Sequence, residues 1–174
     1  MVWYHEKRQI ETDAQQAFRF YLKVDDLHAA YIVNVTRPSY TIATKQYTLL
    51  NHKFNHPTEI TWNSISFSIR EIFTDHAPKT VGGVLMHKLR DLAYDPPSEI
   101  EEDNLKNFNK SDLIKSLGNV SIEMLTPDGG VYEEWKLYGA FITRVTPSQL
   151  DYSSDALTNI DVEIIYDWAE LNKR

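Results

Sequence analysis

The sequence predicts a mainly β protein, an antiparallel β-sandwich or barrel of about seven strands with one packed α-helix. Apolar and polar residues alternate over most of the chain, and this period of two is typical of half-buried strands. A helical period occurs once, over about residues 78–94. The 174 residues, 42% of them hydrophobic and 12% aromatic, suffice for a single domain with its own core.

The N-terminal half contains the clearest alternation. Residues 18–24 place four apolar side chains on one face and end at Asp25-Asp26, which predicts a turn. A further alternation over residues 65–70 sets isoleucine and phenylalanine inward against serine outward. Between them a strand is interrupted at Pro38, because proline cannot donate to a β-ladder. The predicted inward residues of that strand are Tyr31, Val33 and Val35.

Residues 40–54 form a longer and more polar extended stretch. The turn-forming residues Asn55-His56-Pro57 predict a bend at its end. Neither face has a clear assignment to the core, since the two alternate sets are Tyr47, Leu49, Asn51 and Thr48, Leu50, His52.

One amphipathic helix is predicted over about residues 78–94. Pro78 suits its first turn, and Pro96-Pro97 ends it. The acidic and polar residues 98–110 are interpreted as an exposed loop or insertion. The apolar stripe of the helix consists of Val81, Val84, Leu85, Leu89 and Leu92.

Strands resume at Val120–Met124, and residues 127–130 predict the turn that follows. Residues 131–145 predict one long return strand that is buried on both faces. A connector over residues 146–155 leads to the last strand. That strand is predicted to set Ile160, Val162, Ile164, Tyr166 and Trp168 inward and Asp161, Glu163 and Asp167 outward.

The formal net charge of −7 is unevenly distributed. Residues 1–90 carry 11 Lys and Arg against 8 Asp and Glu, whereas residues 91–174 carry 7 against 17. This pattern is not a basic footprint, so tight binding of nucleic acid through its phosphates is not expected. It suits side-by-side packing of identical copies, or it reflects one acidic loop at residues 99–103.

Composition excludes several classes of protein. The absence of cysteine excludes disulfides, thiolate zinc sites and cysteine nucleophiles. No apolar run approaches the roughly 18 residues of a membrane span. The first residues lack the apolar stretch of a signal peptide, and we therefore expect a protein made in a cytoplasm.

No catalytic, cofactor or metal site is predicted. His52 and His56 have a spacing that brings ligands together on a helix, but this stretch is extended. Glu133 and Glu134 are adjacent on a strand and point to opposite faces, so they do not form an acid–base pair. The alternative function is a small-ligand-binding or enzymatic β-barrel, with a pocket formed by Trp62, Trp135, Tyr138 and Trp168.

The order of the motifs resembles the tail tube proteins of contractile-tailed bacteriophages and the tube proteins of related injection machines. The most similar part comprises residues 135–147, the turn at 150–155 and the last strand at 160–168. In the N-terminal half, the alternating strand at 18–24 and the polar hairpin occur in the same order. The resemblance covers roughly residues 16–170 of a single domain, 1–174. It leaves an N-terminal extension, 1–15, and an acidic, exposed insertion, 98–116, without counterparts.

The resemblance implies a structural virion protein without enzymatic activity. Six copies would close into a ring with a continuous lumen barrel, and rings would stack into a tube that conducts DNA during ejection. The ring would belong to the main tube or to an initiator or adaptor at the baseplate. Expected partners are other copies of the chain and sheath, baseplate or tape-measure proteins, with DNA only as passing cargo and no membrane.

The resemblance also suggests two contact regions. The polar hairpin would contribute to the lumen wall and to the contact between rings, through Thr44, Lys45, Tyr47, Leu49, Asn51, His52 and Phe54. The alternative is that Tyr47, Leu49 and Leu50 face the core. The acidic insertion would face outward, through Glu99, Glu101, Glu102 and Asp103. Because a lumen that passes DNA should repel phosphate, we expect its surface to be net negative. The protein would be assembled in the host cytoplasm and reside in the tail.

Overall fold

The computed structural model describes residues 17–25, 32–72, 82–83, 85, 109–153 and 155–173. Within these residues the chain forms ten strands and a short helix, α1, over Lys110–Leu117. The strands are β1 (Phe20–Val24), β2 (Ile32–Val35), β3 (Tyr40–Leu49), β4 (His52–Trp62), β5 (Ile65–Arg70), β6 (Val120–Leu125), β7 (Val131–Tyr138), β8 (Phe141–Pro147), β9 (Asn159–Ile165) and β10 (Trp168–Lys173).

Two four-stranded antiparallel sheets enclose one hydrophobic core, and this confirms the predicted β-sandwich. Sheet A has the strand order β1-β6-β7-β10, and sheet B has the order β2-β5-β9-β8. The alternation predicted for β5 is correct, since its isoleucines and phenylalanine are buried. The largest fully buried side chains are Leu22, Ile65, Phe67, Ile69, Leu117, Ile122, Ile160, Val162 and Ile164.

The prediction of one long strand over residues 131–145 is wrong. The chain leaves sheet A after Tyr138, turns at Gly139, which has a φ of 66°, and enters sheet B at Phe141. The last predicted strand is divided in the same way, because β9 lies in sheet B and β10 in sheet A. Trp168, predicted to point inward, is therefore exposed on sheet A. Alternation continues through each break, so the period of two does not reveal where a strand changes sheet.

The predicted inward face of the second strand is also wrong at one position. Val33 is exposed, whereas Ile32 and Val35 pack against the core. A β-bulge between Ile32 and Asn34 shifts the register against β5, so Val33 lacks a partner of its own. Tyr31 lies outside the described residues.

Helix α1 occupies the end of the stretch interpreted as an exposed loop and insertion. Leu117 is buried in the core, and Gly118 ends the helix with a φ of 73° and an N–H that donates to the Ile114 carbonyl at 3.0 Å. Eight residues contain too few turns for a clear helical period. Of the predicted helix over 78–94, Gly82, Gly83 and Leu85 are helical, and the remaining positions lie outside the described residues.

Candidate assembly interface

Among the described residues, strands β3 and β4 pair only with each other and form a separate two-stranded hairpin. Leu50 and Asn51 connect them with φ values of 48° and 62°, as a two-residue hairpin turn with positive φ at both positions requires. The bend predicted at Asn55-His56-Pro57 is wrong, because these residues lie within β4.

Pro57 is accommodated in β4 by a bulge. The register of the hairpin shifts between Ile42 and Thr44, next to the position that pairs with Pro57. Proline is tolerated at such a position because a bulge already interrupts the hydrogen-bond ladder. The Thr58 hydroxyl donates to the Ala43 carbonyl at 3.0 Å and so satisfies that acceptor.

Aromatic contacts attach the base of the hairpin to the sandwich. The Trp62 ring lies 5.9 Å from the ring of the buried Tyr166 and 5.4 Å from the ring of Tyr40. The Asn63 backbone N–H donates to the Ser39 carbonyl at 2.9 Å, and its side-chain amide donates to the Ser39 hydroxyl at 3.0 Å. The position of the hairpin is therefore set by contacts with the core.

The outer part of the hairpin exposes apolar side chains. Tyr47 is 52% exposed and stacks on Phe54 across the ladder, with ring centroids 5.5 Å apart. Leu49 is exposed, and Leu50 is 88% exposed at the turn. These four residues form the tip patch. They lie outside the core cluster of the described residues, and an exposed apolar patch of this kind is typical of an interaction site.

Every hairpin residue predicted for ring contact lies in this exposed element. The register places Tyr47 opposite Phe54, Leu49 opposite His52, and Lys45 opposite His56 on the same face of the ribbon. Thr44 lies on the other face, and Asn51 is in the turn. The structure thus brings the predicted residues Thr44, Lys45, Tyr47, Leu49, Asn51, His52 and Phe54 into one exposed hairpin.

A second exposed apolar patch lies at the base of the hairpin and was not predicted. Tyr40, Ile42 and Ile60 are exposed on one face of the ribbon, and Ile60 is 62% exposed. The sequence signal for this patch is the alternate spacing of the apolar residues Tyr40 and Ile42. Without tertiary structure, that spacing equally suits residues that face a core.

Sheet B has two edges without a strand partner among the described residues, at β2 and β8. Although α1 packs against β8, every residue over 143–147 is exposed. The outward face of this sheet is polar. The Ser64 hydroxyl donates to Glu163 at 2.7 Å, and the Ser68 hydroxyl donates to Asp161.

The outward face of sheet A differs, because two charged side chains on it are buried. Glu123 lies directly opposite Glu134, and each is only 7% exposed. Lys23 Nζ contacts Glu123 Oε1 at 2.6 Å and compensates part of this negative charge. Sheet B therefore presents the more open four-stranded face.

The aromatic pocket of the alternative function does not form. Trp135 and the buried Leu137 lie on the face of β7 that packs against the core. Tyr138 is the next residue after Leu137, so its side chain lies on the opposite face of the strand. Tyr138 stacks on Trp168 with ring centroids 5.2 Å apart. Trp62 lies at the base of the hairpin, against Tyr166.

The predicted outward contact of the acidic insertion lies outside the described residues, and it comprises Glu99, Glu101, Glu102 and Asp103. Within the part of the chain that the structure describes, no three His, Asp or Glu side chains are close enough to hold a metal ion. No helix in the same part is long and apolar enough to cross a membrane.

Neither a protein-family model nor a curated protein matches the chain. Solved structures do match over nearly the whole chain. A chain of the 6-fold symmetrised baseplate of the anti-feeding prophage has a TM-score of 0.63 at 14% identity and covers 94% of this chain and 98% of its own. A chain of the tube-terminating cap of that prophage has a TM-score of 0.65 at 14% identity, covering 94% and 93%.

A chain from the sheath/tube terminator of an extracellular contractile injection system (PVC), in the extended state, has a TM-score of 0.64 at 16% identity. It covers 93% of this chain and 99% of its own. The resemblance to contractile injection system tube proteins is therefore confirmed at the level of the fold.

Proposed function

We propose that this chain is a structural subunit of the tube of a contractile injection apparatus, in the main tube or in a ring at the baseplate. The observation that carries the proposal is the β3–β4 hairpin, which is attached to the core at its base and exposes an apolar tip patch. An isolated protein gains nothing from such an arm, whereas an assembling subunit buries it in the next copy.

The topology of sheet B supports closure into a ring, for which the resemblance implies six copies. Its four strands are antiparallel throughout, so the edge strands β2 and β8 run in opposite directions. Rotation about a ring axis then places β8 of one copy antiparallel to β2 of the next. The hydrogen-bond pattern within the sheet continues across the boundary, and a closed barrel without free edges results.

The hairpin supports stacking of rings. It continues from β2 and β5 beyond the end of sheet B, and the ten residues of β3 span about 33 Å at the rise of a β-strand. Strands in a barrel are inclined to its axis, so an extension along them leaves the plane of the ring. The tip patch would contact the next ring, in a head-to-tail contact that repeats into a tube.

In this arrangement the outward face of sheet B lines the lumen. Asp161 and Glu163 lie on this face together with Arg70 and Arg144. The expected net negative lumen stays a prediction, and it requires further acidic groups from elsewhere in the chain. DNA would pass without specific binding, and sheath, baseplate and tape-measure proteins would be the other partners in the tail.

Negative-stain electron microscopy over a concentration series, with sedimentation velocity in parallel, tests this function. We expect six-fold rings, with hollow tubes at higher concentration. The tip variant Tyr47→Ser/Phe54→Ser should retain rings and lose tubes, because it removes only the contact between rings. A wild-type protein that stays monomeric at every concentration would contradict the proposal.

A further inference from the structure

We infer that two β-bulges, one on each open edge of sheet B, determine the register and the angle at which a second copy of this chain joins the first. The inference rests on the proposed function and specifies its lateral contact. It concerns the backbone of β2 and β8, not the apolar patches of the hairpin.

Each open edge of sheet B contains one extra residue. In β2, Ile32 pairs with Ile69 and Asn34 pairs with Ser68, so Val33 is the extra residue. In β8, Ile142 pairs with Ile164 and Arg144 pairs with Glu163, which leaves Thr143 as the extra residue. The central pair, β5 and β9, is in contrast regular over six consecutive residue pairs.

The two bulged residues are placed where an approaching strand would meet them. Val33 and Thr143 are both exposed. The Thr143 hydroxyl donates to the Glu163 carbonyl at 3.3 Å and so helps hold the bulge in place. A bulge bends its strand and increases the local twist, so the free N–H and C=O groups of that edge are no longer evenly spaced.

Uneven spacing of the free N–H and C=O groups limits the registers in which two copies can pair. A straight edge accepts a partner strand in several registers, whereas a bulged edge aligns its free donors and acceptors with a partner in few of them. A register that leaves backbone groups unpaired at a buried boundary is disfavoured, because each such group loses its hydrogen bonds with water and gains none in return. Two bulged edges that meet therefore favour one register.

The bulges also affect curvature. A ring closes only if each copy is rotated by the same angle relative to its neighbour, and a regular antiparallel pair supplies twist without a sharp bend. Because the bulges bend β2 and β8, most of the rotation of one copy relative to its neighbour would occur at the boundary between these two strands. The number of copies in the ring would then depend on the two bulges.

A second copy is the partner that fits these edges. The two edges belong to one sheet and run in opposite directions, so β8 of one copy and β2 of another form an antiparallel pair. Bulges also protect edges that stay unpaired, so it is the opposite direction of the two edges that identifies a second copy as the partner.

Deletion of Val33 or of Thr143 tests the inference without reversing the faces of the strands. Ile142 and Arg144 already pair with the consecutive residues Ile164 and Glu163, so ΔThr143 makes the ladder regular. The matched control is ΔTyr132, because Tyr132 is the extra residue of a bulge between the central strands of sheet A. Circular dichroism and urea unfolding would establish that each variant folds.

Native mass spectrometry and electron microscopy supply the result. We expect wild-type protein and ΔTyr132 to form rings of one size. The double deletion ΔVal33/ΔThr143 should show at least a tenfold lower fraction of that ring, replaced by open or mixed assemblies. If wild-type protein and the double deletion form the same ring in equal yield, the inference is overturned and the proposed function stands. If the wild-type protein does not associate, the proposed function itself fails.

Disulfide cross-linking provides a second measurement that is independent of the deletions. The chain contains no cysteine, so every disulfide that forms must join two introduced cysteines. Single cysteines at positions 33–35 of β2 would be mixed with single cysteines at positions 143–146 of β8. Cross-links confined to one register support the inference, and equal cross-linking in all registers contradicts it.

Discussion

The Cα of Gly139 lies against the carboxylate of Asp167, at the place where the chain crosses twice between the two sheets. A Cβ at position 139 would lie 2.8 Å from Asp167 Cγ and closer still to Oδ2. The Asp167 backbone N–H donates to the Tyr138 carbonyl at 2.9 Å, and Lys110 Nζ contacts both carboxylate oxygens at 2.6 and 2.7 Å. One glycine therefore permits two strand crossings and the attachment of α1 at a single corner.

Replacement of Gly139 by alanine should destabilise the domain by about 2–4 kcal/mol. A positive φ costs an L-residue about 1–2 kcal/mol, and the new methyl group must also displace Asp167. Gly129→Ala is the matched control, because Gly129 has a φ of 83° and no atom within 4 Å of an added Cβ. Urea unfolding of both variants should show a clearly larger loss for Gly139→Ala, and equal losses would contradict the steric part of the argument.

At the hairpin turn, the residue that favours tube assembly should be unfavourable for the stability of the folded domain. Leu50 has a φ of 48°, an unfavourable conformation for a leucine, and it is also almost fully exposed. Leu50→Asn should raise the free energy of unfolding by about 0.5–1 kcal/mol and weaken tube formation. Asn51→Gly relieves the same type of strain without loss of apolar surface, so it should stabilise the domain and leave tubes intact. Thermal unfolding and electron microscopy would measure the two effects, and undiminished tubes in Leu50→Asn would remove Leu50 from the contact.

The tip patch should contribute to assembly and not to folding. Tyr47→Ser should change the free energy of unfolding by less than about 1 kcal/mol, since the side chain is half exposed, stacks on Phe54 and lies outside the core cluster. Gln46→Ser is its control on the opposite face of the ribbon. Phe67→Ala, in the core, should cost about 3–5 kcal/mol. Tubes lost equally in the Tyr47 and Gln46 variants would indicate that the whole hairpin, and not its apolar face, makes the contact.

Stability should fall at alkaline pH in a way that depends on Tyr166. Burial raises the pKa of Tyr166 above its ordinary value of 10.0, and the nearby polar backbone of Ser39 opposes this in part. The folded state therefore retains this proton at a pH where the unfolded state has lost it. The contribution is fully present below pH 10 and is lost as the pH rises through the raised pKa. Urea unfolding between pH 8 and 11 should show a shallower decline for Tyr166→Phe than for the wild type, and identical slopes would contradict this assignment.

Residue periodicity was sufficient for most of the fold. β1, β5, β6 and β9 were predicted because each has an apolar face in the core and a more polar opposite face, which produces alternation along the strand. Helix α1 was missed because its eight residues bury only Leu117 completely. The true turn of the hairpin was missed because Leu50 and Asn51 lack the asparagine-glycine composition that marks such turns.

The candidate interface was predicted in part. The resemblance singled out the stretch over residues 40–54, in which neither face had a clear assignment to the core, and the structure places it outside the core cluster of the described residues. The base patch formed by Tyr40, Ile42 and Ile60 was not found, because its alternation matches that of a buried strand. The bulges at Val33 and Thr143 carry no sequence signal, since neither position has a glycine or proline.

The sequence by itself determined most of the strands and most of the residues that bury the core. These are consequences of local hydrophobic patterning, which depends only on neighbouring residues. Tertiary structure alone decided where a strand changes sheet at Gly139 and Asp167, and which edges of sheet B remain open. The physical reason is that strand pairing and crossover depend on backbone hydrogen bonds between distant segments, and every residue except proline offers the same donor and acceptor.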